Sequence, residues 1–401
     1  MKYSPLFAIS LASAAGWAVL LAARGNFWNA PVDAHDGPTE PFRLRAPRVE
    51  AIVPARDEVE TIGTAIGSLV AQRYADLNVT LVDDGSTDGT GAVAQASAFG
   101  STKRDRLTVI RARALEKPWT GKLNALETGV RHALAKRGAP AYWLFTDADI
   151  AHDFTNVAAL VAKAERDDLD LVSLMARLRC ESAWEALLVP AFVFFFQKLY
   201  PFAWSNEPTR TTAAAAGGCI LISHAALVRI GGLPCVAGRL IDDCSLAAEV
   251  KKRGGKTWLG LTDRTTSIRP YAGLPPLWAM VKRTAFTQLA HSYPLVAISV
   301  AGLTFLYFVP PIATAVGIAR GDDGLILAGA AGWGAMAFAY LPTLRLYRRA
   351  PHESLALPAA AALYMAMTVD SAIAHARRRG GAWKGRTYDT LGEVTQASPA
   401  T

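Results

Sequence analysis

Between Val49 and Met175, short apolar runs keep stopping at polar turns, and helix-length stretches separate most of them. Val49–Val53 runs into Pro54-Ala55-Arg56-Asp57-Glu58, and Val79–Val82 into Asp83-Asp84-Gly85-Ser86-Thr87-Asp88. Leu107–Ile110, Tyr142–Thr146 and Leu169–Met175 are further runs of the same kind. Strand and helix in alternation confine this segment to an α/β fold with a parallel sheet. Ligands in such a sheet bind beyond the carboxyl ends of the strands. The acidic motifs sit at those ends.

The Tyr142 run ends in Asp147-Ala148-Asp149. Residues i and i+2 of an extended segment face the same side, so the two carboxylates can converge on one object. Converging carboxylates repel unless a cation lies between them, and Mg²⁺ or Mn²⁺ with a substrate phosphate answers that need. A solvated strand-to-loop turn is the plainer alternative. At Asp83-Asp84-Gly85-Ser86, Gly85 permits a tight turn, and a carboxylate held there can accept from a base N–H or a ribose hydroxyl. Trp119-Thr120-Gly121-Lys122 opens a helical stretch, where Lys122 and the helix N-terminus suit a phosphate; a solvated lysine is the alternative. Asp242-Asp243 also leads into a helix. Asp243 is a candidate general base, or else a helix cap. The small-residue run Ala213–Cys219 allows close approach of a ligand or of another backbone.

Hydrophobic residues make up 51% of the 401 and charged ones 19%, and mean hydropathy is +0.19. Those figures call for membrane segments. Residues 5–23 carry no charge and are long enough to span a bilayer core. Arg24, Arg43, Arg45 and Arg48 follow, and they favour a cytoplasmic side for what comes next. Residues 1–24 therefore read as an anchor, with a cleaved signal peptide as the alternative, and 25–47 as a linker. Further apolar stretches cover 294–319, 324–344 and 354–374. The last contains Asp370 and precedes a basic tail, 377–401, so it is re-entrant or interfacial, or else an exception to the positive-inside rule. Residues 184–204 are apolar with tryptophans and a tyrosine at headgroup level, and read as a helix lying in the membrane surface, or as a buried core helix. Lys282 and Arg283, on a basic and aromatic helix, suit a diphosphate or lipid phosphates, or serve as an interfacial anchor. The net charge of +8 comes without a nucleic-acid motif and points to lipid headgroups. The four cysteines have no CxxC spacing and read as reduced thiols.

As an ordered set these motifs resemble an inverting family 2 glycosyltransferase with the GT-A fold, a Rossmann-like domain that binds nucleotide-diphosphate sugars. The segment Val53–Glu58 looks like the opening nucleotide-binding segment, Val82–Asp88 like the uridine-side motif, and Asp147-Ala148-Asp149 like the DxD metal motif. Asp242-Asp243 stands where the family usually has Glu-Asp, with the second residue as base. The Lys282–Phe286 segment lacks the Gln and Trp of the processive QxxRW motif, so polymer synthesis is not implied. Leu178–Ser182, Phe194–Trp204 and Ala213–Cys219 resemble the hopene-associated glycosyltransferases, relatives of ceramide glucosyltransferases.

The resemblance implies a catalytic GT-A domain over 48–290 in the cytoplasm, transmembrane or re-entrant helices over 291–376, and a multi-pass protein of the inner membrane. It also implies a sugar nucleotide, foremost a UDP-sugar, as donor and a membrane lipid, hopanoid-related, as acceptor. A divalent metal, Mg²⁺ or Mn²⁺, would lie on Asp149 and Asp147. Pro54, Ala55, Arg56, Glu58, Asp83, Asp84, Lys122, Asp147, Lys282 and Arg283 would contact substrate, and Asp243, beside Asp242, would take the proton. A silent membrane scaffold and a nucleotidyl or phosphosugar transferase are the alternatives.

Overall fold

The structure, a computed structural model, describes residues 4–29, 32, 46–99, 101–377, 386–388 and 394–396. Most of the 25–47 linker, with Arg43 and Arg45, and most of the 377–401 tail lie outside these residues. The chain divides into a helical unit (Met1–Ala30, Cys180–Ala203, Tyr271–Gly381) and a sheet unit (Pro31–Arg179, Trp204–Pro270, Ala382–Thr401).

The sheet unit contains β1 (Val49–Ala55), β2 (Leu77–Asp83), β3 (Leu107–Arg111), β4 (Tyr142–Thr146), β5 (Ile150–His152), β6 (Leu171–Arg177), β7 (Cys219–Ser223) and β8 (Thr257–Ser267). They form one eight-stranded sheet in the order β3-β2-β1-β4-β7-β6-β8-β5. The half from β3 to β4 is parallel, as strand–helix alternation requires. Antiparallel β7 fills the place between β4 and β6, so the sheet is mixed rather than parallel throughout. Parallel register puts Ala55 opposite Asp83 and Ile52 opposite Phe145. The carboxyl ends of β1, β2 and β4 are thereby brought to one edge.

Side chains alternate across each strand and build a core on both faces. Val49, Ala51, Val53 and Leu144 pack with helices Ile62–Val70 and Asn156–Arg166. Ile52, Trp143 and Phe145 pack with helices Gly121–Arg137 and Asp242–Lys252. Each large apolar side chain so buried contributes about 1.5–3 kcal/mol. Glu50 shares the second face, is fully buried, and receives two bonds from Arg137 at the helix end (2.8 and 2.7 Å).

In the helical unit, Pro5–Ala23, Tyr293–Arg320, Asp323–Leu346 and Pro351–Ala376 are, among the described residues, long and apolar enough to cross a membrane. The second is interrupted by a π turn, Thr304–Phe308. The first helix serves this irregularity: Ser13 Oγ donates to the Phe305 carbonyl (2.7 Å) and Trp17 Nε1 to that of Leu306 (2.8 Å). Asp370, the anomalous charge of the last helix, accepts from Trp278 Nε1 (2.7 Å) and pairs with Lys282 (2.9 Å). Helix Ala183–Leu199, which the sequence lays in the membrane surface, buries Leu188, Val193, Phe194 and Gln197 within this unit and leaves Trp184 and Leu199 exposed. All four cysteines are free thiols.

Gly129 lets helix Gly121–Arg137 approach the sheet: a Cβ there would lie 2.5 Å from Ile52 Cγ2 and 3.0 Å from Val82 Cγ2. Both neighbours are β-branched, buried and stiff. Gly129→Ala is therefore expected to lower stability by about 1–3 kcal/mol, although alanine favours helix. Thermal unfolding of the detergent-solubilised protein checks this, and an unchanged or raised melting temperature contradicts the close approach.

Candidate active site

The loops after β1 and β2 are tied to one another. Asp84 N–H donates to the Ala55 carbonyl (2.8 Å), and Arg56 Nη1 to the Asp84 carbonyl (2.6 Å). Asp57 adopts φ 51°, a left-handed conformation that aspartate tolerates, and its Oδ1 accepts the Thr87 N–H (2.8 Å). Glu58 N–H donates to Thr90 Oγ1 (2.8 Å) and Val59 N–H to Asp88 (3.0 Å). Asp83 uses an oxygen on the Ser86 N–H (2.7 Å) to close the turn, which Gly85 completes at φ 73°. Asp84 is buried, with a carboxylate oxygen 3.8 Å from Arg56.

After β4 the chain turns at once rather than continuing extended, with Ile150 N–H on the Asp147 carbonyl (3.3 Å). The two carboxylates of the DxD motif consequently take different cations. Asp147 pairs with Lys122 (2.8 Å) and Asp149 with Arg269 (3.0 Å). Ser267 Oγ donates to the same Asp149 oxygen (3.0 Å), and Arg269 reaches on to Glu58 (2.6 Å). Lys122 comes from the first turn of its helix, whose N-cap is Thr120. Its ammonium also lies 3.5 Å from Asp242. Burial works against its charge, but Asp147 and then Asp242 outweigh burial and hold Lys122 well above the lysine range.

Asp242 and Asp243 occupy the first turn of helix Asp242–Lys252, where the positive helix end favours carboxylates. The N-cap is Ile241, so neither aspartate is the cap. Asp243 Oδ1 accepts the Cys244 N–H (2.7 Å) and Oδ2 the Gly217 N–H (2.9 Å). Burial and the Asp242 charge push Asp243 up to about 6, against Lys122 and the two N–H donors. Asp147 is raised by burial, against Lys122. A Cβ on Gly217 would stand 3.0 Å from Lys122 Nζ and 3.3 Å from Asp243 Oδ2, so glycine keeps this corner open. One cavity is lined by Pro54, Lys122, Thr146, Asp147, Gly217, Asp242 and Asp243.

The sheet unit thus brings Lys122, Asp147, Asp242 and Asp243 together, with Pro54 on the wall. Asp83, through its carboxylate, and Ala55, through its carbonyl, hold the adjoining turns. Lys282 and Arg283 belong to the helical unit, where Asp370 takes up the Lys282 charge. Arg269 and Ser267 touch Asp149 and escaped the sequence reading, since one arginine past a threonine-rich strand carries no motif, whereas Gly217, in the small-residue run 213–219, makes a close approach to Asp243. Among the described residues, no group of three or more His, Cys, Asp or Glu side chains is placed to hold a metal ion. The donor set still suits a hard cation, because Asp147 and Asp149 repel and already draw positive groups. Such an ion would complete its shell with oxygens from a substrate, as Mg²⁺ commonly does.

Residues 50–231 match the family model described as glycosyl transferase family 2, a little under half of the chain. The chain contains a glycosyl transferase family 2 domain. The matched span includes Lys122, Asp147 and Asp149 and stops before Asp243 and Arg269. The mannosyltransferase PcManGT from Pyrobaculum calidifontis, solved with GDP-Man and Mn²⁺, aligns over 92% of this chain and 98% of its own, with a TM-score of 0.55 and 22% identity. That likeness is one of fold, GT-A. The 4,4'-diaponeurosporenoate glycosyltransferase of Staphylococcus aureus strain N315 is 32% identical over 116 residues, 29% of this chain and 28% of that protein. Its counterpart in strain MRSA252 is 35% identical over 99 residues, 25% and 23% of the two chains. The chain therefore spans roughly a quarter of the length of the curated relatives it matches.

Charge balance at this cavity has a testable sign. With Asp243 raised to about 6, the native state keeps a proton that the unfolded chain releases from about pH 4 upward. This contribution to stability is full below pH 4 and is lost as pH rises to about 6. Without Lys122 the carboxylates repel unrelieved. Lys122→Met should destabilise by about 1–2 kcal/mol, as both members of the pair are partly exposed. The drop in melting temperature should be larger at pH 8 than at pH 5; equal drops would contradict the balancing role.

Proposed function

We propose that this chain is a membrane-bound inverting glycosyltransferase that moves a sugar from a nucleotide-diphosphate donor to a lipid acceptor. The observation carrying this reading is one cavity holding Lys122, the first aspartate of the DxD motif and a raised, doubly anchored Asp243. The family 2 match supports a sugar nucleotide as donor, and PcManGT was solved with one and with Mn²⁺. A UDP-sugar is the donor we favour.

In this reading the loops at Pro54–Glu58 and Asp83-Asp84 hold the nucleoside, with Arg56 fixing Asp84. Lys122 meets the diphosphate. Asp149 and Asp147 would hold a divalent cation, Mg²⁺ or Mn²⁺, which neutralises charge on the departing nucleoside diphosphate when bound. Asp243 accepts the proton of the acceptor hydroxyl as its oxygen bonds to the anomeric carbon. The bond from that carbon to the diphosphate breaks on the opposite face, and the configuration inverts. The two N–H bonds hold the Asp243 carboxylate in one orientation, and Asp242 raises its basicity.

Four helices of membrane length support a bilayer location, which we place in the cytoplasmic membrane with the sheet unit facing the cytoplasm. The relatives named for diaponeurosporenoate favour a lipid-like acceptor. The segments 178–182, 194–204 and 213–219 are the reason for preferring a hopanoid-related one. Of the basic pair on helix Leu274–Gln288, Arg283 is the better candidate for a phosphate, since Lys282 is engaged by Asp370.

Asp243→Asn is expected to lower transfer by about 10²- to 10⁴-fold while donor binding stays within about twofold of wild type. Labelled sugar nucleotides incubated with membranes, followed by mass analysis of extracted lipids, measure the first quantity, and calorimetry the second. Lost binding with unaffected turnover contradicts the assigned role. The wild-type rate should also fall as pH drops through about 6, because protonated Asp243 cannot accept. A rate flat from pH 5 to 8 speaks against Asp243 as base.

A further inference from the structure

Arg269 stands two residues beyond β8 and spans two carboxylates. Its Nε donates to Asp149 Oδ2 (3.0 Å) and its Nη2 to Glu58 Oε2 (2.6 Å). The Asp149 and Glu58 side chains are 13% and 9% exposed, whereas that of Arg269 is 31% exposed. The backbone beside it is pinned, since Ile268 N–H donates to the Asp149 carbonyl (2.9 Å). A rearrangement here therefore needs only the arginine side chain to swing.

Asp149 is also the residue that the proposed function assigns to a divalent cation, and the inference rests on that reading. A guanidinium and a divalent ion on one carboxylate repel each other. Ser267 Oγ adds a second donor on the same oxygen, Oδ2. Without a group of three acidic or imidazole ligands among the described residues, an ion alone gains little that would displace the arginine. A diphosphate changes both sides of that competition. It supplies oxygens to the ion, and it offers the guanidinium a planar two-pronged partner.

We infer that Arg269 is an exchangeable counter-ion on Asp149. It holds the carboxylate in position and keeps it from capturing a divalent cation until a diphosphate arrives, so that cation and diphosphate bind cooperatively. Linkage makes the coupling reciprocal. Arg269 is in this sense a positioning residue, and it sets the order in which the site fills.

The test is Mn²⁺ binding to the full-length protein in detergent, read from the paramagnetic resonance of the free hydrated ion. Titrations are made without nucleotide and with UDP or GDP, each corrected by a protein-free control. Wild type should bind Mn²⁺ roughly tenfold tighter or more with a nucleoside diphosphate than without. Arg269→Gln should bind Mn²⁺ alone roughly tenfold tighter than wild type, with the nucleotide effect correspondingly smaller. Arg269→Lys keeps the charge but cannot bridge both carboxylates; it should fall between the two and carries the test if the glutamine variant does not fold. Asp149→Asn should lose Mn²⁺ binding in every case. If wild type binds cooperatively but neither arginine variant binds Mn²⁺ alone more tightly, the counter-ion role is overturned and the transferase reading stands. If wild type binds no Mn²⁺ even with either diphosphate, both are overturned.

Discussion

Carboxylates gathered in one place repel, and the cations and N–H donors around the sheet unit's acidic residues answer that repulsion. Asp147, Asp149, Asp242 and Asp243 come from the ends of a strand and the start of a helix. Lys122, from another element, makes Asp147 and Asp242 tolerable around one ammonium, and Arg269 does the same for Asp149. Backbone N–H groups take up what those cations leave, at Asp243 from Gly217 and Cys244. The arrangement is balanced but polar and partly exposed. It suits a ligand that carries negative charge of its own and brings compensating cations with it.

Sheet topology makes the gathering possible. Parallel strands β1, β2 and β4 deliver Pro54, Asp84 and Asp147 to one edge in register. The antiparallel β7 runs the other way, so its start, not its end, lies at that edge: Thr146 pairs with Cys219, and Gly217 reaches Asp243. β8 is parallel to β6, and beyond its end Arg269 meets Asp149. Two reversed strands, β7 and β5, bring residues far apart in the chain to these carboxylates, the second by pairing Ile150 with Ser267.

The helical unit obeys a different constraint, because packing among apolar side chains penalises unpaired polar groups. Its π turn survives since Ser13 and Trp17 meet the carbonyls of Phe305 and Leu306. Asp370 survives in an apolar helix because Trp278 and Lys282 both bond it. A residue that reads as an objection to a span in the sequence is thus accounted for by partners from a helix about ninety residues earlier in the chain.

Local chemistry made much of this protein legible in its sequence. Apolar runs of strand length, the turn-forming Asp83-Asp84-Gly85 and the helix-opening Lys122 each declare themselves within about ten residues, and the membrane-length stretches within about twenty. What the sequence withheld depends on pairing between distant segments. Strand direction at β7, the turn that separates Asp147 from Asp149, and the presence of Arg269 across Asp149 and Glu58 have no local signature. Which acids and cations share a cavity is a matter of tertiary register, because Coulomb forces act through space between groups that the chain order keeps apart. The sequence alone determined that acidic strand ends and bilayer-length helices exist here; only the folded structure decided which cation answers each acid.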